Sequence, residues 1–225
     1  MANLKQNILS LCKKNGISFD QFKEDLDVDD VHELTVFDLE AICEEYDCDM
    51  MALLFKQIEP SIWREKAKQI KLLLLDVDGV MTDGGMYFNE SGDQSKKYHT
   101  HDGMAILHLT KAGFNVGIIS SGFKSGMVKS RAELLGINHV YVGRDKKKDI
   151  LQQWLKELNL TYKQVAMIGD DVNDLEVLKK IGLSACPSNA VDIVKESCNI
   201  VLEKRGGDGC VREFVDTYLL EEPLS

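Results

Sequence analysis

The chain has 225 residues, of which 44% are apolar and 28% are charged, as is ordinary for a globular protein of one or two domains. Its net charge of -10 disfavours binding to nucleic acid and to anionic membranes. No apolar run is long enough for a membrane-spanning helix and no signal-type stretch follows Met1, so we expect a cytoplasmic protein with no membrane or nucleic-acid partner.

Residues 1–58 are predicted to form a small all-α domain. They contain 13 acidic residues and 5 lysines, a net charge of -8, whereas the remaining 24 acidic and 22 basic residues nearly balance. Capping patterns at Ser18 and Thr35 and apolar residues at helical spacing predict the helices. These helices are expected near 4–15, 18–26, 35–46 and 50–55.

The order of these helices resembles a shortened repressor-type helix-turn-helix domain. The short acidic segment 27–33 occupies the place of a recognition helix, and DNA binding requires basic residues on phosphates. We therefore expect no DNA binding. A role in oligomerisation or partner docking is favoured, and a purely stabilising appendage is the alternative.

Residues 59–225 alternate short apolar runs with helical segments, which predicts a doubly wound parallel α/β sheet of the Rossmann-like type. A β-hairpin flap is predicted over residues 85–99, with its turn around Asn89–Asp93. Strands are expected at 71–75, 115–120, 139–142, 164–169, 183–186 and 199–202. Helices are expected near 103–112, 123–135, 147–158, 173–181, 190–196 and 209–219.

Two acidic turns follow predicted strands and would meet at one edge of the sheet. The first runs from Asp76 through Asp78, and the second contains Asp170, Asp171 and Asp174. Parallel strands place such residues together at their carboxyl ends. Because clustered carboxylates repel each other unless a hard cation holds them, we expect Mg²⁺ at this edge.

Ser121 and Lys147 follow the second and third strands and fall on the same edge. This set of groups suits phosphoryl transfer. One carboxylate can act as nucleophile and a second carboxyl as proton donor, while a cation, a hydroxyl and an ammonium can bind the phosphoryl oxygens. The neighbouring Ser120 remains an alternative to Ser121. His101 is a further candidate for substrate contact, and the glycine-rich turn 206–209 is either a simple turn or a mobile tail.

Six cysteines are scattered without a C-x-x-C pair. Small buried hydrophobic side chains are the favoured interpretation, and zinc ligation is the alternative. They are Cys12, Cys43, Cys48, Cys186, Cys198 and Cys210.

The motif D-x-D-G-x-x-T-D-G from Asp76, the strand-terminal Ser121, Lys147 and the G-D-D-x-x-D run from Gly169 resemble the haloacid-dehalogenase superfamily of phosphatases. From about Ser61 to Leu220 the chain resembles the subfamily containing 3-deoxy-manno-octulosonate (KDO) 8-phosphate phosphatase and its relatives acting on nine-carbon, sialic-acid-like 9-phosphates. That resemblance implies a role in lipopolysaccharide or surface-polysaccharide biosynthesis. It also implies a homotetramer in which a neighbour's C-terminal tail helps to close each site.

Residue roles carried over from the resemblance are the following. Asp76 would be the nucleophile and Asp78 the general acid and base, while Ser121 and Lys147 would hold the phosphoryl oxygens. Mg²⁺ would be bound by Asp76, by Asp170 and by Asp78 through its backbone carbonyl. Asp171 and Asp174 would orient the metal shell and Lys147. Substrate contacts are expected from Thr82, Asp102, Gly122, Lys124 and Arg212.

Two positions depart from the KDO-phosphate pattern: His101 and Phe123 stand where that pattern has arginine. An aromatic ring cannot replace a guanidinium in gripping a carboxylate, so the identity of the sugar acid stays open. A catalytically inactive or regulatory scaffold of the same fold is the alternative function. The presence of all five chemical motif residues argues against it.

Overall fold

The computed structural model describes residues 2–55, 60–91, 94–122 and 125–224. The helices in this part of the chain are α1 (Ala2–Asn15), α2 (Phe19–Asp25), α3 (Val36–Glu45), α4 (Met50–Phe55), α5 (Pro60–Ala67), α6 (Thr100–Lys111), α7 (Gly126–Leu134), α8 (Lys147–Glu157), α9 (Leu175–Leu178), α10 (Asp192–Ser197) and α11 (Cys210–Phe214). The strands are β1 (Leu72–Leu75), β2 (Tyr87–Phe88), β3 (Gln94–Ser95), β4 (Asn115–Ser120), β5 (His139–Val142), β6 (Val165–Ile168), β7 (Leu183–Cys186) and β8 (Ile200–Val201).

A six-stranded parallel sheet in the order β5-β4-β1-β6-β7-β8 forms the centre of the larger part of the chain. This confirms the predicted doubly wound α/β fold. The central strand β1 consists of four leucines, all fully buried, as expected for a strand covered on both faces. Leu75 pairs with Ile118 of β4 and with Ile168 of β6. The carboxyl ends of these three strands are therefore level, and the loops that follow them start side by side.

Side chains alternate between the two faces of β1 and enter two separate cores. Leu73 and Leu75 belong to a core with α5, α6, α7 and α11, whereas Leu72 and Leu74 belong to a core with α8, α9 and α10. This alternation follows from the two-residue period of a strand. Both layers hold β1 rigidly beneath the residue that follows it, Asp76.

The four N-terminal helices are confirmed and share a third core, which includes Ile8, Phe22 and Ile42. Asp38 and Thr35 form the expected capping box at the start of α3. The helix-turn-helix resemblance is not confirmed, because the segment between α2 and α3 forms only a short 3-10 turn at Val31–Glu33. Part of the proposed domain boundary lies outside the described residues.

Local differences from the predicted elements have simple physical causes. Helix α5 was not predicted, since only Trp63 and Ala67 of its described side chains are buried in a very short segment. The helix predicted near 173–181 is a 3-10 turn at Val172–Asp174 followed by the short α9. The hairpin is confirmed with two-residue strands, although part of its turn lies outside the described residues.

The six cysteines are free thiols, four buried and two half-buried, as expected of small apolar side chains. Across the ranges described above, no helix combines the length and apolarity needed to cross a membrane.

Candidate active site

The loop from Asp76 to Asp83, called here the Asp76 loop, leaves β1 in a tight turn. Asp76 N–H donates to the carbonyl of Ile168 at 3.1 Å, which continues the sheet by one residue. The backbone N–H and hydroxyl of Thr82 donate to the carbonyl of Val77 at 3.0 and 3.1 Å and close the loop. Gly79 has a φ of +92°, and a Cβ there would lie 2.0 Å from Asp170 Oδ2. Only glycine fits between this loop and Asp170.

Lys147, the first residue of α8, reaches across the carboxyl ends of the strands. Its Nζ lies 2.9 Å from Asp76 Oδ1 and 2.6 Å from Asp174 Oδ1, and only 3% of its side chain is exposed. The second oxygen of Asp174 accepts the backbone N–H of Asp170 at 3.1 Å. Asp174 therefore orients both the ammonium of Lys147 and the turn that carries Asp170.

Carboxylate oxygens of Asp76, Asp170 and Asp174 lie within 4.8 Å of one another. Asp170 Oδ1 is buried and has no hydrogen-bond partner in the described residues. A buried carboxylate oxygen without a donor is costly, so this oxygen is well suited to a cation. The oxygen-only donor set fits Mg²⁺. The cluster includes Asp174, whereas the sequence predicted Asp78 as the third ligand, through its backbone carbonyl.

Crowding of these carboxylates perturbs their acidity in the metal-free protein. Burial, followed by the negative charge of Asp174, raises the pKa of Asp76 to about 7, although Lys147 opposes this. Burial and the charges of Asp76 and Asp174 raise the pKa of Asp170 to about 8. Burial lowers the pKa of Lys147, but the two adjacent carboxylates outweigh it and the net pKa is raised.

Asp78 faces an open cavity and is paired with a lysine that sequence reasoning missed. Its carboxylate contacts the ammonium of Lys96, which follows β3 of the hairpin and has only 12% of its side chain exposed. The sequence feature that could have pointed to Lys96 is its place in the predicted flap, since the flap directly follows the acidic turn that contains Asp78. The flap therefore contributes a positive charge to the site in addition to covering it.

Both candidate serines line the cavity in different settings. Ser120 is buried and its hydroxyl accepts the backbone N–H of Gly122 at 3.2 Å. Ser121 is exposed and its hydroxyl accepts a hydrogen bond from Asn173 Nδ2 at 3.1 Å. Asn173 is a second residue that sequence reasoning did not single out.

The cavity has a volume of ≈ 230 Å³ and opens over the carboxyl ends of β1, β4 and β5. Asp171 stands at its rim, where its side chain caps the Val172–Asp174 turn by accepting the N–H of Val172 at 2.7 Å. The lining residues are Asp76, Asp78, Met86, Gln94, Lys96, Ser120, Ser121, Gly122, Val128, Val142, Asp171 and Asn173.

Three expected substrate contacts are not among these lining residues. Thr82 is buried and closes the Asp76 loop. Asp102 is also buried, and its Oδ1 accepts the backbone N–H of Arg212 at 2.8 Å. The guanidinium of Arg212 binds Asp216 and the carbonyl of Leu224 within the same chain. Lys124 lies outside the described residues, as does Phe123.

The chain is similar to known proteins over most of its length. A family model described as haloacid dehalogenase-like hydrolase matches residues 15–214. The 3-deoxy-D-manno-octulosonate 8-phosphate phosphatase KdsC of Escherichia coli is 36% identical over 157 residues, covering 70% of this chain and 83% of the relative. The Salmonella typhimurium enzyme of the same name is 34% identical over 172 residues, covering 76% and 90%.

Solved structures give the same result. The Moraxella catarrhalis 3-deoxy-D-manno-octulosonate 8-phosphate phosphatase, in complex with a magnesium ion, a phosphate ion and KDO, is 33% identical with a TM-score of 0.67. The match covers 69% of this chain and 89% of that one. The cobalt-bound phosphatase of Haemophilus influenzae is 33% identical with a TM-score of 0.64, covering 67% and 88%.

Proposed function

This chain belongs to the haloacid dehalogenase-like hydrolase family, and we propose that it is a Mg²⁺-dependent phosphatase that hydrolyses the phosphate monoester of a sugar acid. The observation that carries the proposal is the convergence of Asp76, Asp170 and Asp174 at the carboxyl ends of the strands. Two of these carboxylates, Asp76 and Asp174, contact the ammonium of Lys147. Such a site combines a buried nucleophile with two sources of positive charge, the ammonium and the cation. Both are required to bring a phosphate dianion against a carboxylate.

In the proposed reaction, a carboxylate oxygen of Asp76 attacks phosphorus and the bond to the sugar oxygen breaks. Asp78 protonates that oxygen as it leaves and then takes a proton from the water that hydrolyses the aspartyl-phosphate. Asp76 and Asp170 would hold Mg²⁺, and the bound cation would neutralise charge on the phosphoryl oxygens. Lys147 favours the ionised form of Asp76 and, with Ser121, holds the phosphoryl group.

The substrate proposed is KDO 8-phosphate, which is the substrate named for the two relatives. A nine-carbon, sialic-acid-like 9-phosphate is the alternative, because His101 and Phe123 depart from the KDO-phosphate pattern. Lys96 adds a positive charge to the cavity lining, which suits an anionic substrate such as a sugar acid. The test is phosphate release from a panel containing these two substrates, hexose 6-phosphates and p-nitrophenyl phosphate, with Mg²⁺. At least a tenfold preference in kcat/KM for one sugar-acid phosphate supports the assignment. No turnover of any member by folded, Mg²⁺-loaded protein would overturn the phosphatase itself.

We further propose that the chain comprises a helical domain over 1–58 and a phosphatase domain over 59–225, and that it assembles as a homotetramer. The separate core of the N-terminal helices supports the division. Exposed apolar side chains on and beside the hairpin support association: Met86, Tyr87, Phe88 and Met104 are each about half exposed or more. Light scattering of the full chain, compared with a Phe88→Glu variant, tests this. A native mass of one subunit for the full chain would contradict it.

A further inference from the structure

The segment Glu203–Gly209, called here the strap, connects β8 to α11 and lies against the Asp76 loop. Gly207 N–H donates to the carbonyl of Val80 at 2.9 Å, and the thiol of Cys210 approaches the same oxygen at 3.4 Å. A Cβ on Gly207 would lie 2.2 Å from the backbone N of Asp83. Backbone therefore meets backbone along this contact, with no room for side chains.

Gly206 makes the closest approach. A Cβ built on it would lie only 1.7 Å from the carbonyl oxygen of Gly79. Gly79 is also in close contact with Asp170, whose Oδ2 is 2.0 Å from where a Gly79 Cβ would be. Gly79 is thus held between the strap and a carboxylate of the proposed metal site. A single residue therefore connects the strap to that carboxylate.

The strap is itself fixed at several points. Gly206 N–H donates to Asn189 Oδ1 at 2.8 Å. The two oxygens of Glu213, on α11, accept the backbone N–H groups of Glu203 and Lys204 at 2.9 and 2.8 Å. Each of these bonds pairs a backbone N–H of the strap with a side-chain acceptor from another segment. The strap is therefore a fixed support rather than a free loop.

We propose that the strap is a positioning element for the proposed phosphatase site, in which Gly206 sets the distance between the Asp76 loop and Asp170. The inference rests on the proposed function and adds residues for which the reaction chemistry alone gives no role. Neither Gly206 nor Asn189 touches the reacting groups. They act through Gly79, which follows Asp78 in the chain and packs against the carboxylate of Asp170.

The test compares Gly206→Ala with Gly113→Ala. Gly206 has no left-handed φ, so alanine there acts through the contact of its Cβ with Gly79 and the backbone N of Val80. Gly113 has a φ of +78° and open space around it, so alanine there strains the backbone far from the site. Mg²⁺ binding is measured by calorimetry with Mg²⁺ alone, and kcat and KM are measured with p-nitrophenyl phosphate. Circular dichroism establishes that each variant is folded.

We expect Gly206→Ala to bind Mg²⁺ at least tenfold more weakly and to lose at least tenfold in kcat, with KM within threefold. Gly113→Ala should keep both quantities within twofold while melting at a lower temperature. A folded Gly206→Ala with Mg²⁺ affinity and kcat within twofold of wild type would overturn the proposal. Should the wild type lack phosphatase activity, the proposed function fails, yet the Mg²⁺ titration still decides the role of the strap.

If Gly206→Ala does not fold, the variants Asn189→Ala and Asn189→Asp test the role of the strap instead. Asn189 is exposed, so neither change disturbs the core. Alanine removes the acceptor for Gly206 N–H and should weaken Mg²⁺ binding and kcat at least threefold. Aspartate keeps an acceptor and should restore both toward wild type. An Asn189→Ala protein equal to wild type in both measurements would overturn the proposal.

Discussion

Replacing Lys147 with methionine removes the ammonium from the centre of the site and keeps most of the side-chain volume. In the wild type this ammonium lies 2.9 Å from Asp76 Oδ1 and 2.6 Å from Asp174 Oδ1, with 3% of the lysine side chain exposed. In the variant three carboxylates would share the site with no positive charge between them. We therefore expect a large loss of stability as well as a loss of turnover.

The size of the expected stability loss follows from the burial of the Lys147–Asp76 ion pair. Removing one partner of a buried ion pair costs about 3–5 kcal/mol, because it leaves an uncompensated charge in a poorly solvated place. For a chain of this length that loss corresponds to a fall in Tm of roughly 10 °C. Protonation relieves the repulsion, so the penalty should be largest near pH 8 and smaller near pH 5. Mg²⁺ should restore part of the loss by supplying positive charge.

The measurement is urea unfolding of the wild type and of Lys147→Met at pH 5 and pH 8, in EDTA and then in excess Mg²⁺. Lys148→Met is the matched control, because the adjacent Lys148 pairs with Glu176 at 2.6 Å at the surface. Surface pairs contribute little, so its unfolding midpoint should stay close to that of wild type. A Lys147→Met protein as stable as the Lys148→Met control at pH 8 in EDTA would refute this account of the site.

Three further outcomes are expected. The pKa of Asp76 (about 7) and of Asp170 (about 8) lie above the ordinary 3.8, so the folded metal-free protein holds more protons than the unfolded chain between about pH 4 and 8. Its free energy of unfolding should therefore fall as pH rises from 5 to 8 in EDTA, and a rise would contradict the raised pKa values of these two carboxyl groups. The Asp170→Asn variant should show a smaller dependence of this free energy on pH. Asp76→Asn should fold, bind Mg²⁺ more weakly and show no turnover, whereas substantial activity in a clean preparation would exclude Asp76 as nucleophile. Residues 59–225 alone should keep kcat/KM within tenfold of the full chain, and a folded, correctly assembled truncation that lost more than a hundredfold would place part of the site in residues 1–58.

The sheet was predictable because its strands are short, apolar and bounded by acidic or glycine-containing turns. The Leu72–Leu75 run ends at Asp76, and parallel pairing alone brings Asp170 to the same edge. Helix α5 escaped prediction because its two described buried side chains, Trp63 and Ala67, form too weak a pattern in a short segment. Periodicity becomes informative only over longer windows.

Side-chain partners could not be predicted to the same degree. The contact of Lys96 with Asp78 depends on how far the hairpin folds over the sheet, which no spacing in the sequence determines. Asp102, expected at the substrate, instead accepts the backbone N–H of Arg212 at the start of α11. The sequence contains the acid and the glycine-rich tail, but their contact spans 110 residues and is set by packing.

The central claim is that Asp76 forms a covalent phosphoryl intermediate, and trapping that intermediate tests it most directly. The Asp78→Asn variant is incubated with Mg²⁺ and p-nitrophenyl phosphate. Because p-nitrophenol is a good leaving group, phosphorylation of Asp76 has little need of a general acid. Hydrolysis of the aspartyl-phosphate lacks its general base in this variant, so the intermediate should accumulate. Borohydride reduction followed by peptide mass mapping then locates the phosphorylated carboxylate. The account predicts homoserine at position 76 only when substrate and Mg²⁺ are both present. Reduction at Asp170 or Asp174 instead, or p-nitrophenol release with no reducible carboxylate, would contradict it.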